Sequence, residues 1–143
     1  MSFSYWPHQD RAHIQCKRLW AEGSQAMLLT APCGAGKSAM MLRVAEPAAE
    51  KGLRVAIYSP RIALTQQLVQ LFGSRGIDFG VHANGFDQQF NPHAKVQICS
   101  LQTVNSRLGN YKHVFPFADI VIVDEAHQQA GEMAKKVFGK HKA

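Results

Sequence analysis

The sequence predicts an α/β fold with a mostly parallel sheet and helices on both of its faces. Short apolar runs alternate with longer helix-like stretches along the chain, which is the pattern of βαβ units. Two of these runs, Ala26–Thr30 and Asp119–Val123, are apolar without the polar alternation of a half-exposed strand. Because parallel strands direct their carboxyl ends to one edge of the sheet, we expect the residues that follow them to lie together.

The first half of the chain predicts two helices before the second strand. One runs from His8 to Glu22, with Ile14, Leu19 and Trp20 on one apolar stripe. The strand at 26–30 then leads through a glycine-rich turn into a helix over residues 37–51. We expect Pro47 to kink that helix or to end it early.

The second half continues the alternation. Ser59 is expected to cap a helix that has Pro60 at its first position, reaches Phe72 and ends at Gly73. A short helix is expected at 102–108, and the segment 82–93 reads as a loop. The remaining strands are expected at Leu53–Tyr58, Ile77–Val81 and Lys95–Cys99.

Composition excludes several classes of protein. The 143 residues fit one domain, spanning residues 1–143. The net charge of +6 suits a polyanionic partner, although many soluble proteins are equally basic. The three cysteines form no CxxC pair, so we expect neither a zinc site nor a disulfide framework. No apolar run is long enough for a membrane span and no signal-peptide pattern opens the chain, so we expect a soluble, cytoplasmic protein.

The strongest local signal is the segment APCGAGKS at residues 31–38, between a predicted strand and a predicted helix. Its glycines let backbone N–H groups turn toward a concavity that favours phosphate. Lys37 adds a positive charge for the outer phosphates, and the Ser38 hydroxyl suits a ligand of Mg²⁺. The residues expected to bind the nucleotide are Gly34, Ala35, Gly36, Lys37 and Ser38.

The acidic segment DEAH directly follows the strand at 119–123 and should reach the same edge of the sheet. Asp124 would hold Mg²⁺, directly or through water. Glu125 would orient and deprotonate an attacking water. A solvated turn is the simpler interpretation of this segment alone, but the phosphate loop on the same edge favours a catalytic site.

Together these two motifs resemble those of superfamily 2 helicases and translocases, most of all the bacterial and phage DNA-repair type. The resemblance extends from about Trp6 to His127, with Ala31 where the strict phosphate-loop pattern has its first glycine. It implies a RecA-like fold, hydrolysis of ATP with Mg²⁺, and movement along nucleic acid. It also implies that His127 couples the nucleotide site to the nucleic acid.

The segment WPHQ at residues 6–9 resembles the motif that recognises adenine in this superfamily. Gln9 would then read the adenine edge, since an amide can pair with adenine through two hydrogen bonds. Trp6 or Tyr5 could stack on the base. Trp6 stands where the family often has arginine, and packing of its ring against the first helix is an equal alternative.

Two further segments resemble motifs that contact the nucleic-acid backbone. In SPRIALTQQ, at residues 59–67, Arg61 lies in a first helical turn and is well placed for phosphate. In SLQT, at residues 100–103, Gln102 and Thr103 would supply amide and hydroxyl donors, and Arg107 could join them. A plain helix cap at Ser100 explains the second segment nearly as well. Such contacts imply sequence-independent binding, with DNA favoured over RNA.

The sequence also predicts that parts of a superfamily 2 motor are missing. A superfamily 2 motor needs a second RecA-like lobe, which supplies an arginine finger. No Ser-Ala-Thr motif follows the acidic segment, so we expect a sheet truncated after the DEAH strand. In related folds a strand with that motif separates the strands at 26–30 and 119–123. The chain alone is expected to be marginally stable and to hydrolyse ATP negligibly, and Lys135–Lys142 reads as a helix end or a solvated terminus.

Two alternatives to a helicase or translocase lobe remain. The chain could be a stand-alone regulatory module that binds ATP without hydrolysing it. A small-molecule kinase with a phosphate loop fits less well, because it leaves the DEAH segment and the Pro60-Arg61 motif unexplained.

Overall fold

The computed structural model describes residues 37–109, 115–124 and 131–141, together with positions 7, 11, 14, 15, 17, 18, 21 and 22. The helices and strands of this part, in chain order, are α1 (Lys37–Glu50), β1 (Val55–Tyr58), α2 (Ile62–Ser74), β2 (Phe79–His82), β3 (Val96–Cys99), α3 (Leu101–Ser106), β4 (Ile120–Val123) and α4 (Glu132–Lys140), with a 3-10 helix at Asp87–Gln89. Every strand predicted for these residues is present, with its ends shifted by two residues or fewer.

The four strands form one parallel sheet in the order β2-β3-β1-β4. β1 lies between β3 and β4, and Tyr58 aligns with Cys99 on one side and with Val123 on the other. The carboxyl ends of these strands therefore meet at one edge of the sheet. This arrangement confirms the α/β fold that the sequence predicts.

Helices cover both faces of the sheet. Side chains alternate along β1, so that Val55 and Ile57 face one side while Ala56 and Tyr58 face the other. On the first face, α1 and α2 contribute the buried residues Met41, Leu42, Ala45, Ala48, Leu68 and Phe72. On the second face, α3 and α4 contribute Leu101, Val104, Ala134 and Val137. Burial on both faces explains why β1, with the sequence VAIY, has no polar alternation.

α1 continues through Pro47 to Glu50, so the proline does not end the helix early. Proline removes one intrahelical hydrogen bond, but at position 47 the loss falls in the last turn. Ala45 and Ala48 remain buried against the sheet. The Lys51 N–H donates to the Pro47 carbonyl at 3.2 Å, which closes the turn after the proline.

α2 begins later than the sequence predicts. Ser59 extends β1, because its N–H donates to the Cys99 carbonyl at 3.0 Å. Ser59 is therefore not the helix cap, and Pro60 forms a bend between strand and helix. Arg61 occupies the N-cap position with extended backbone angles (φ −106°, ψ 122°), and its carbonyl accepts the first helical hydrogen bond from the Thr65 N–H at 3.1 Å.

α2 also ends later than predicted, at Ser74 rather than at Gly73. Gly76, with φ of +70°, is the left-handed residue after the helix. Its N–H donates to the Gly73 carbonyl, and the Ile77 N–H donates to the Phe72 carbonyl, both at 3.1 Å. This pair of bonds is a Schellman motif. Ile77 packs on the cluster that contains Phe72. If the helix ended at Gly73, the residue after the glycine would be Ser74, which has no apolar side chain to make this contact.

The segment after residue 130 forms α4 and docks on the sheet, so of the two alternatives expected for this segment the structure shows the helix end rather than the solvated terminus. Ala134, Val137 and Phe138 recur at helical spacing and pack in the second cluster. The charged residues Lys135 and Lys136 lie on the exposed side. Burial of this apolar stripe overrides the lysine-rich composition of the segment.

The described positions between 7 and 21 are helical, in agreement with the first predicted helix. Ile14 is 64% exposed, so the expected apolar stripe is not buried at this position. Leu19, Trp20 and the predicted strand 26–30, with the gap expected beside it, lie outside the described residues. None of the helices in the described part has the length and apolar character needed to cross a membrane.

Candidate functional site

The carboxyl edge of the sheet places Ser59 and Asp124 side by side. The backbone hydrogen bonds of the sheet continue past the strand ends, with the Asp124 N–H donating to the Tyr58 carbonyl at 2.8 Å. Because Tyr58 and Val123 are in register, the next residue of each strand occupies an equivalent position on its neighbour. Ser59 and Asp124 are therefore held by the sheet itself rather than by a loop.

The N-terminus of α1 is directed toward the same edge. α1 ends at Glu50 and β1 begins at Val55 after a short turn, so helix and strand run in opposite directions. With a rise of about 1.5 Å per residue, α1 carries Lys37 and Ser38 roughly 20 Å from its C-terminal end, toward the carboxyl edge. Both residues are half-buried. We therefore expect the first polar side chains of α1 to lie on the same side of the molecule as the residues that end β1 and β4.

Asp124 is a buried carboxylate. It is 6% exposed, and the Ser59 hydroxyl, 2% exposed, donates to its Oδ2 at 3.4 Å. A carboxylate in such a place requires donors or a cation to compensate for lost hydration. Its oxygens and the Ser38 hydroxyl are the hard ligands that Mg²⁺ prefers, so these residues fit a metal ion shared with a nucleotide. The predicted site residues outside the described part are Gln9, Gly34, Ala35, Gly36, Glu125 and His127.

Arg61 is exposed beside this edge, immediately before α2. Its N–H donates to the Ser59 Oγ at 3.2 Å, and its carbonyl accepts the Thr65 hydroxyl at 3.2 Å. The backbone of Arg61 is thus held from both sides, while its guanidinium reaches the surface. This is a suitable arrangement for a side chain that contacts a phosphate.

The second predicted nucleic-acid segment is divided between surface and core. Gln102 is exposed on α3, whereas Thr103 is 6% exposed and belongs to the buried side of the helix. The expectation of a surface hydroxyl at Thr103 is therefore corrected by the position of this residue in the helical turn. Ser100 occupies the N-cap position of α3, but its side chain makes no capping hydrogen bond.

A cavity lies between the end of β2 and the C-terminal ends of α3 and α4. His82, Arg107 and Lys140 line it together with apolar residues that include Phe115. The Lys140 Nζ lies 5.6 Å from the centroid of the Phe115 ring, which is a cation–π distance.

The buried Tyr58 and the half-buried His141 carry no sequence signal of their own. The Tyr58 hydroxyl lies 2.8 Å from the His141 Nε2. Burial raises the pKa of Tyr58 and lowers the pKa of His141 to about 4. The phenol therefore keeps its proton and the imidazole is neutral, so the tautomer of the ring decides which of the two groups donates. The spacing of Ala134, Val137 and Phe138 could have indicated that α4 docks here.

The fold is shared with a solved ATPase. The structure matches the Sulfolobus solfataricus SWI2/SNF2 ATPase core in complex with dsDNA, with a TM-score of 0.68 and 14% sequence identity over 89% of this chain. The chain spans 27% of the length of that protein. The parallel sheet, its helix-covered faces and this match define a RecA-like lobe.

The sequence identifies the family. Residues 2–143 match the family described as type III restriction enzyme, res subunit (ResIII), and the chain belongs to that family. A search among curated proteins found no match. Family and fold together confirm the prediction of a superfamily 2, helicase-type RecA-like lobe. The roles of the individual site residues stay predictions.

Proposed function

We propose that this chain is the ATP-binding lobe of an ATP-dependent nucleic-acid translocase or helicase. The proposal is supported by the buried Asp124 at the carboxyl edge of the sheet, and by the short connection between α1 and β1, from which we infer that Lys37 and Ser38 lie toward the same edge. Within a helicase-type family, a positive charge and two oxygen ligands in such an arrangement suit a nucleotide with its metal ion.

In this proposal Lys37 neutralises the outer phosphates of ATP at the N-terminal turn of α1, where the helix dipole also favours negative charge. Ser38 and Asp124 would hold Mg²⁺, which when bound supplies positive charge to the phosphate oxygens. Glu125 would orient and deprotonate the attacking water, and Gln9 would read the adenine edge. Backbone N–H groups of residues 34–36 would surround the phosphates.

Nucleic acid would lie along the exposed part of the same edge. Arg61 and Gln102 are both exposed there, and neither position requires contact with a base. We propose Gln102 alone as the contact of its segment, since the Thr103 side chain is buried. The structure of the SWI2/SNF2 ATPase core was determined in complex with dsDNA, which supports DNA as the nucleic acid that this lobe would bind. His127 would couple the two sites.

Hydrolysis at a useful rate requires a second lobe. Phosphoryl transfer in related enzymes depends on an arginine supplied from outside the nucleotide-binding lobe, worth about 10³–10⁵ in rate. We propose that another RecA-like lobe, in a longer protein or in another chain, closes over the edge that holds Asp124 and supplies this group.

The test is a titration of the chain with Mg·ADP. Lys37→Ala should weaken binding by about ten- to one-hundred-fold, because it removes a charged contact with the phosphates. Lys51→Ala is the matched control, since Lys51 is an exposed lysine just beyond the opposite end of α1. Equal affinities in wild type, Lys37→Ala and Lys51→Ala would contradict the proposed nucleotide site.

A further inference from the structure

Ser59 stands between the metal-binding and nucleic-acid-binding parts of the proposed site. It is 2% exposed, at the point where β1 ends. Its hydroxyl lies 3.4 Å from the Asp124 Oδ2 and 3.2 Å from the backbone nitrogen of Arg61. A single buried oxygen thus touches the carboxylate expected to hold Mg²⁺ and the residue expected to hold phosphate.

The chemistry of a hydroxyl fixes the direction of these two contacts. A serine hydroxyl has one hydrogen to donate and lone pairs with which to accept. Asp124, as a carboxylate, can only accept, so the hydroxyl hydrogen points toward its Oδ2. The Arg61 N–H can only donate, so it points toward a lone pair of the Ser59 Oγ. The Arg61 N–H thus donates to the Ser59 hydroxyl, which in turn donates to the Asp124 Oδ2.

We propose that Ser59 is a positioning residue that couples occupancy of the metal site at Asp124 to the geometry of Arg61. This role rests on the proposed function, since it requires Mg²⁺-nucleotide at Asp124 and nucleic acid at Arg61. The hydroxyl touches neither ligand directly. It acts on each through the residue beside it.

The state of Asp124 decides how strongly Ser59 holds Arg61. With the carboxylate negative, the hydroxyl donates to an anion, and the polarised oxygen is a better acceptor for the Arg61 N–H. A bound Mg²⁺ neutralises the carboxylate and weakens both contacts. At 3.4 Å the contact is longer than the roughly 2.5–3.0 Å of an ordinary O–H···O hydrogen bond, so it opposes rearrangement only weakly.

The backbone carbonyl and the backbone N–H of Arg61 are held by different parts of the molecule. Its carbonyl is fixed to α2 by the Thr65 N–H and by the Thr65 hydroxyl, both internal to the helix. The N–H side contacts Ser59 and, through it, Asp124. Weakening the Ser59 contact therefore loosens the peptide before Arg61 while α2 stays in place, and the backbone position from which the guanidinium extends changes. Binding of Mg²⁺-nucleotide should consequently weaken binding of nucleic acid.

The experiment measures how one ligand changes the affinity for the other. Binding of a labelled oligo-dT single strand is titrated without nucleotide, with ADP and EDTA, and with Mg·ADP. In the wild-type chain Mg·ADP should lower the oligonucleotide affinity about five-fold, at the low end of couplings between sites, while ADP with EDTA should not. In Ser59→Ala the factor should fall to about one, with each ligand still bound when added alone.

Two variants distinguish coupling from a merely structural role. Thr65→Val removes a buried hydroxyl that also contacts Arg61 but does not contact Asp124, and it should keep the coupling. Ser59→Thr restores the hydroxyl and should restore the coupling. If Ser59→Ala does not unfold cooperatively, Ser59→Cys, a weak donor, replaces it with the same expectation.

The outcomes separate the two proposals. If the wild-type chain binds neither Mg·ADP nor the oligonucleotide, the proposed function fails and this role fails with it. If it binds both and Ser59→Ala retains the wild-type factor, or if the wild type has no coupling, the role of Ser59 alone is wrong.

Discussion

The Tyr58 hydroxyl and the His141 Nε2 form a 2.8 Å hydrogen bond, joining residues 83 positions apart. It fixes the last turn of α4 to the central strand of the sheet. The Phe138 ring stands edge-on to Tyr58, with 5.0 Å between the ring centroids. The segment that follows the acidic motif is thereby part of the same core as the strand that leads to Ser59.

We expect the stability of the chain to fall as the pH is lowered from 6.5 to about 4. Burial lowers the pKa of His141 from 6.5 to about 4, so in this window the unfolded chain binds a proton that the folded chain does not. The free energy of unfolding therefore rises with pH through the window and levels off above it. Thermal unfolding of wild type and His141→Gln on either side of the window measures this, and the variant should lose part of the dependence. An equal pH dependence in both proteins would show that His141 titrates normally.

Docking of α4 predicts a large cost for Val137→Ala. Val137 is fully buried beneath the helix, so truncation should lower the free energy of unfolding by about 1.5–3 kcal/mol in urea titrations. Met133, on the same helix, is 38% exposed, and Met133→Ala should cost less than about 1 kcal/mol. Similar small effects of the two substitutions would mean that α4 is not part of the core.

A close backbone approach makes Gly80 intolerant of a side chain. A Cβ there would lie 2.7 Å from the Gln97 Oε1 and closer still to the Asn91 carbonyl oxygen. Since a main-chain atom cannot move aside easily, Gly80→Ala should cost about 2 kcal/mol or more. Gly73→Ala is the control, because that helical position has open space, and it should be neutral or stabilise by about 0.5–1 kcal/mol. Equal melting temperatures for the two variants would refute the predicted clash.

Arg61→Ala should weaken oligonucleotide binding about equally for all sequences and lower the slope of log affinity against log salt by about one. The physical reason is the loss of one phosphate contact with its released counterion. Arg54→Ala is the matched control, since Arg54 is an exposed arginine at the opposite, amino end of β1. Fluorescence anisotropy over a range of salt concentrations gives both slopes. An equal change in the two variants would point to net charge alone, and sequence-selective weakening would point to base readout.

The sequence by itself determined the alternation of strands and helices and the family. VAIY and IVIV could be assigned as strands because a parallel strand covered by helices on both faces typically has a continuous apolar run. Likewise, Asp124 could be assigned to the sheet edge because the strand before it ends there. Such inferences need only local pattern and the direction of the strands.

The tertiary structure decided what depends on contacts distant in sequence. Whether α2 ends at Gly73 or at Ser74 depended on Ile77 reaching the cluster around Phe72. Whether Ser59 caps a helix or extends a strand depended on its hydrogen bond to Cys99, 40 residues later in the chain. The lysine-rich segment became a docked helix because Ala134 and Val137 could be buried against the face that carries Tyr58. In each case local propensity allowed two conformations, and the burial of apolar surface or a backbone hydrogen bond to a distant strand selected one.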